Sequence, residues 1–149
     1  MASITRSIEV HAPADRAFEH LSDPGHLVEI WPSLLAVSMA EQDPDGAHHF
    51  DWTYRMAGVK FHGHCDTVDV EPGRRRVDRN EGGIPSTFRW TFEPRGEASE
   101  VRLEVEYDPP TLLELVAGPL LRTLNEREAE TLLSNLKAKL EAAAPVTRG

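Results

Sequence analysis

The chain has 149 residues, enough for one domain with a substantial core. Hydrophobic residues make up 40% and charged residues 28%, and the formal net charge is -9. That balance argues against nucleic acid and anionic membrane surfaces as partners, because both are bound mainly through Lys and Arg.

Ile4, Ile8 and Val10 alternate with Arg6 and Glu9, which predicts a first strand. Met1 to Val10 lack the apolar stretch of a secretory signal, and no apolar run approaches the length of a membrane span. Cys65 is the single cysteine, so no internal disulfide can form; a reducing, cytoplasmic setting is expected. Ala12-Pro13 opens a short helix whose Ala14, Ala17, Phe18 and Leu21 recur at helical spacing. Asp23-Pro24-Gly25 breaks it, and a second short helix from about His26 to Ile30 ends before Trp31-Pro32. Leu34 to Glu41 is a strand closed by Asp43-Pro44-Asp45-Gly46.

The most informative stretch is His48 to Asp66. A turn at Ala57-Gly58 places Met56 opposite Val59 and sorts the residues by face. One face carries His48, Phe50, Trp52, Tyr54 and Met56 against Val59, Phe61, Gly63 and Cys65. The other carries His49, Asp51, Thr53 and Arg55 against Lys60, His62, His64 and Asp66. Val68 and Val70 fall on the polar face by counting, so a bulge or bend is expected near Thr67. Arg75-Val77-Arg79 reads as a weaker strand, and Arg74-Arg75-Arg76 as solvated charges at a hairpin end. Phe88, Trp90 and Phe92, then Val101, Leu103, Val105 and Tyr107, mark two further half-buried strands. After Asp108-Pro109-Pro110 the chain reads as helix, with a stripe of Leu120, Leu124, Leu132, Leu133, Leu136 and Leu140. Gly118-Pro119 either kinks this helix or marks its start. Residues 145–149 should form a frayed tail to a single domain over 1–144.

The order predicts an α+β fold: a curved antiparallel sheet of about six to seven strands wrapped around a long C-terminal helix, with two short helices after the first strand. An apolar sheet face needs a cover, and a helix about 10 Å across cannot fill a strongly curved one. A cavity between sheet and helix is the expected result.

This order, with particular local sequences, resembles the START-like or helix-grip (SRPBCC) superfamily, and most nearly its polyketide cyclase/dehydrase branch. Ile4 to Phe18 looks like the family's first strand and helix. Leu21-Ser22-Asp23-Pro24 followed by Trp31-Pro32 looks like its helical turn, and Leu132 to Glu141 like its closing helix. The resemblance implies lipid, sterol or quinone carriers or polyketide aromatase/cyclases, with no shared catalytic motif.

On the residues themselves, Phe50, Trp52, Tyr54, Phe61, Phe88, Trp90, Leu103 and Tyr107 are candidate cavity walls, or plain core where the helix lies close. Leu27, Trp31 and Leu35 are candidates for the mouth, and Leu120 and Leu124 for the helix side. Gly63, opposite Trp52, either leaves room beside the ring or relieves crowding. His48, Tyr54 and Tyr107 are the candidate acid–base groups if the protein is an enzyme; otherwise they are rim groups touching water. His49, His62 and His64 with Asp51 and Asp66 have metal-ligating side chains, but on an outer face with no shielding shell, so cross-strand pairing is the expectation and no metal or cofactor is called for. The leading function is binding of a hydrophobic or aromatic small molecule. The alternatives are a cyclase or dehydratase using the same cavity and, last, a protein-interaction module. Monomer and homodimer both remain open.

Overall fold

The computed structural model describes residues 2–142; the expected frayed tail lies outside the described residues. The elements are β1 (Ala2–Val10), α1 (Ala14–Ser22), α2 (Pro24–Ile30), β2 (Leu34–Gln42), β3 (His48–Met56), β4 (Val59–Glu71), β5 (Arg75–Gly82), β6 (Ser86–Arg95), β7 (Ala98–Tyr107) and α3 (Thr111–Ala142). The seven strands form one antiparallel sheet in the order β1-β7-β6-β5-β4-β3-β2. This is the helix-grip arrangement, with α3 as the long C-terminal helix and α1 and α2 as the two short helices after the first strand.

The β3–β4 hairpin has the expected register, from Met56 opposite Val59 through Trp52 opposite Gly63 to His49 opposite Asp66. Ala57 and Gly58 both have positive φ, 50° and 82°. Two such residues make the turn whose twist suits a tight hairpin. The expected bulge is present: Thr67 pairs with Asp78 and Asp69 with Val77, which leaves Val68 unpaired. The extra residue points Val68 to solvent and returns Val70 to the core face. The edge strand β2 is also interrupted, with Met39 at φ 54°. An irregular edge resists pairing with another sheet.

The break between the short helices is tighter than expected. Pro24 opens α2 directly, and the Asp23 carboxylate accepts the Gly25 N–H at 2.9 Å. A proline loses nothing there, because a first-turn N–H has no helical partner. Pro119 lies inside α3, which runs unbroken from Thr111; Gly118-Pro119 does not start the helix. The missing Pro119 N–H leaves the Leu115 carbonyl without its helical donor. The helix is anchored mainly beyond that point. Leu132, Leu133, Leu136 and Leu140 are all buried, each such side chain contributing about 1.5–3 kcal/mol. Asn135 donates to the Ile30 carbonyl at 2.9 Å and Arg6 to Glu130 at 3.0 Å.

Candidate functional site

A hollow opens between the concave face of the sheet and the middle of α3. It measures about 90 Å³ within its walls and about 720 Å³ when space out to the open mouth is included. An apolar cavity of about 150 Å³ can take up benzene, so the enclosed part, at about 90 Å³, is smaller than a cavity that holds one such ring. β3 contributes Phe50, Trp52, Tyr54 and Met56, while Phe88 on β6 and Leu103, Val105 and Tyr107 on β7 form the opposite wall. Trp31 and Leu34 close one side, and Asn125, Glu128, Ala129 and Leu132 of α3 form the roof. These side chains converge because alternate residues of adjacent antiparallel strands share one face.

Trp31 touches aromatic rings on two walls. Its ring lies 5.4 Å from that of Tyr54 at 68° and 5.1 Å from that of Phe88 at 50°. The polar groups are few and mostly engaged. Asn125 donates to the Tyr107 hydroxyl at 2.9 Å and Asn80 to Ser86 at 3.1 Å, while Glu128 accepts the Ser33 N–H at 2.9 Å. Burial, with the Glu128 carboxylate adding to it, pushes the Tyr54 hydroxyl well above the usual phenol range. Tyr54 is therefore a protonated donor at neutral pH. The Trp52 indole lies across Gly63, where a Cβ would collide with both the ring and the Glu81 carbonyl. Gly63 is thus the place the indole occupies rather than vacant space.

Trp31, Phe50, Trp52, Tyr54, Phe88, Leu103 and Tyr107 are brought together at the hollow. The remaining expected wall residues stand elsewhere. Leu34, not Leu35, points inward, because β2 begins in the opposite phase. Trp90 is buried with its ring parallel to Phe92 at 6.4 Å, and Leu27 is packed in the core. Phe61 is half-buried beside Gly83. Leu120 and Leu124 are 60% and 39% exposed, because α3 buries Leu121 and turns these two outward. On α3, sequence reasoning missed Glu128, Asn125 and Ala129, which steps of three and four from Leu121 and Leu132 would have placed on the inner face; Asn80, Ile84 and Ser86 at the β5–β6 end were also not expected.

His48 does not reach the hollow or its rim. It is 1% exposed beneath α1, where its Nδ1–H donates to the Ser22 carbonyl at 3.0 Å. Burial, reinforced by nearby Arg76, holds its pKa below the usual imidazole value, against the pull of Asp78. The same end of the sheet contains Arg76, which corrects the expectation of a solvated arginine run. Arg76 is fully buried and donates to Asp78, to the Ser22 hydroxyl at 2.8 Å and to Thr67 at 2.9 Å. Its guanidinium also lies 5.4 Å from the centre of the Phe18 ring. The signal was cross-strand: Arg76 pairs with the inward-facing Trp90 and must share its face.

Comparison with known proteins places this architecture. A family described as polyketide cyclase/dehydrase and lipid transport matches residues 1–141. The chain belongs to that family. Among solved structures, TTHA0849 from Thermus thermophilus is similar at 19% identity and TM-score 0.81, covering 96% of this chain and 99% of its own. The Zhui aromatase/cyclase from Streptomyces sp. R1128 is similar at 16% identity and TM-score 0.81, covering 99% and 98%. A START superfamily protein from Mycobacterium smegmatis follows at 16% identity and TM-score 0.74, covering 94% and 97%. At these identities the likeness shows the fold alone. No curated protein matches in sequence.

The outer face of the hairpin in this polyketide cyclase/dehydrase-family chain is a hydrogen-bonded ladder. Asp66 accepts from His49 at 2.7 Å and from His64 at 2.9 Å, and His64 also donates to Asp51 at 2.7 Å. The bond to Asp66 raises the pKa of His49, the bond to Asp51 raises that of His64, and His49 holds the Asp66 carboxyl low. Among the described residues no helix is long and apolar enough to cross a membrane.

Proposed function

We propose that this protein binds a hydrophobic or aromatic small molecule in the hollow between β3, β6, β7 and α3. The observation that supports this reading is a vacant, aromatic-walled space between the sheet and α3, lined by Trp31, Trp52, Tyr54 and Phe88 among others. Trp31, Phe50, Trp52, Tyr54, Phe88, Leu103 and Tyr107 are the proposed contacts. Burial of the ligand's apolar surface, at about 25 cal/mol per Å² before ordering costs, is the driving force. The small enclosed volume means that a ligand of one ring or more must extend beyond it or displace side chains. A cytoplasmic setting fits the single, buried Cys65.

Native mass spectrometry of the purified protein, followed by calorimetric titration with naphthalene derivatives, tests the reading. Ala129→Phe, which puts a ring into the roof, should abolish uptake while the protein stays folded. Uptake that survives this substitution would place the ligand somewhere else.

The second reading is a cyclase or dehydratase acting in the same space. It is favoured by the two phenol hydroxyls, of Tyr54 and Tyr107, on the walls of an otherwise mostly apolar space. His48 has no place in it. A turnover lost in Tyr54→Phe with ligand affinity retained would establish the enzyme; loss of affinity without any turnover in the parent favours the carrier. An interaction module ranks third.

A further inference from the structure

We propose that the ligand is a hydrophobic amine, bound as its ammonium cation with the charge beside Glu128 and the apolar body in the hollow. This rests on the cavity-binding reading above and names its ligand class. Among the described residues, Glu128 is the one charged side chain on the walls, and no Lys, Arg or His lines them. Its carboxylate accepts the Ser33 N–H, and among the described residues it forms no ion pair. The neighbouring acids differ: Glu126 and Glu130 are both engaged by Arg6. A carboxylate without a counter-ion at the edge of an apolar space attracts a cation and repels an acid.

The rings beside it point the same way. Trp31 meets Tyr54 and Phe88 at non-parallel angles, and all three line the hollow. Tilted aromatic faces next to a carboxylate are the surroundings in which ammonium groups are held, through the negative faces of the rings. The net charge of -9 also raises the local concentration of cations around the protein. A fatty acid or any other anionic head group would meet the Glu128 charge with no basic residue to balance it.

Calorimetric titration at neutral pH with naphthylmethylamine, naphthylmethanol and naphthoate tests this, since the three share a body and differ in head group. The amine should bind at least about tenfold more tightly than the alcohol, a ratio within reach of one partly desolvated cation site, and naphthoate should bind most weakly. Glu128→Gln retains an acceptor for the Ser33 N–H, and should remove the amine's advantage over the alcohol. If amine and alcohol bind equally to the parent protein, or the amine preference survives in Glu128→Gln, the amine assignment is overturned and the cavity reading stands. If none of the three binds, both fall. The head-group order in the parent decides the matter even if the variant does not fold.

Discussion

The two ends of the concave sheet face use the same kind of strand and reach opposite results. Beneath α1 the space is closed around a buried Arg76–Asp78 pair, with Ser22 and Thr67 also accepting from Arg76 and His48 bonded to the Ser22 carbonyl beside them. Beneath the middle of α3 the walls are aromatic, polar groups are few, and space is left open. A buried ion pair tolerates no vacancy, because each unmet hydrogen bond in a low dielectric is costly. An apolar wall tolerates one, at the cost of lost dispersion contacts. The Arg76 end is therefore filled by its own polar contacts, and the end beneath α3 is left hollow.

Arg76→Ala should break this contrast most severely. It leaves Asp78 buried without its counter-ion, and should lower stability by about 3–5 kcal/mol in urea denaturation. A loss below about 1 kcal/mol would mean that solvent reaches the pair. Gly63→Ala comes next, because its Cβ must displace the Trp52 indole or the Glu81 carbonyl. It should cost about 1–3 kcal/mol and also weaken ligand binding, since Trp52 is a wall of the hollow.

A smaller effect separates the two ends by pH. His48 is held neutral in the native state, with its pKa below the unfolded value of about 6.5. Its contribution is present above about pH 6.5 and is lost as pH falls through the native value. His48→Gln should flatten that acid limb of the stability profile and leave ligand binding unaltered. The exposed ladder has the opposite sign for its histidines: the raised pKa values of His49 and His64 contribute below about pH 6.5 and fade as pH rises through the native values. The smallest change is expected for Leu120→Ser and Leu124→Ser, which should stay within about 0.5 kcal/mol of the parent because both side chains are solvent-facing. A marked gain in solubility or loss of self-association in this pair would revive the interaction reading.

Much of this was legible in the order of residues. The hairpin register, the bulge after Thr67 and the inward set from Phe50 to Tyr107 follow from period-two alternation, a local property that survives into the fold because one face is buried. Which inward side chains meet a vacancy was not legible. Trp52 and Trp90 have equivalent patterns, yet Trp52 borders the hollow and Trp90 stacks on Phe92. Only the path of α3 across the sheet decides between them. The same path turned Leu124 outward and Glu128 inward, against the expectation from a leucine stripe. Arg76 was hidden for a related reason: its burial depends on Ser22 and Phe18, which are distant in the chain and reach it only because α1 packs on the sheet. Local alternation depends on backbone geometry alone, and a single sequence displays it; burial and charge compensation depend on which surfaces meet, and only the tertiary structure decides that.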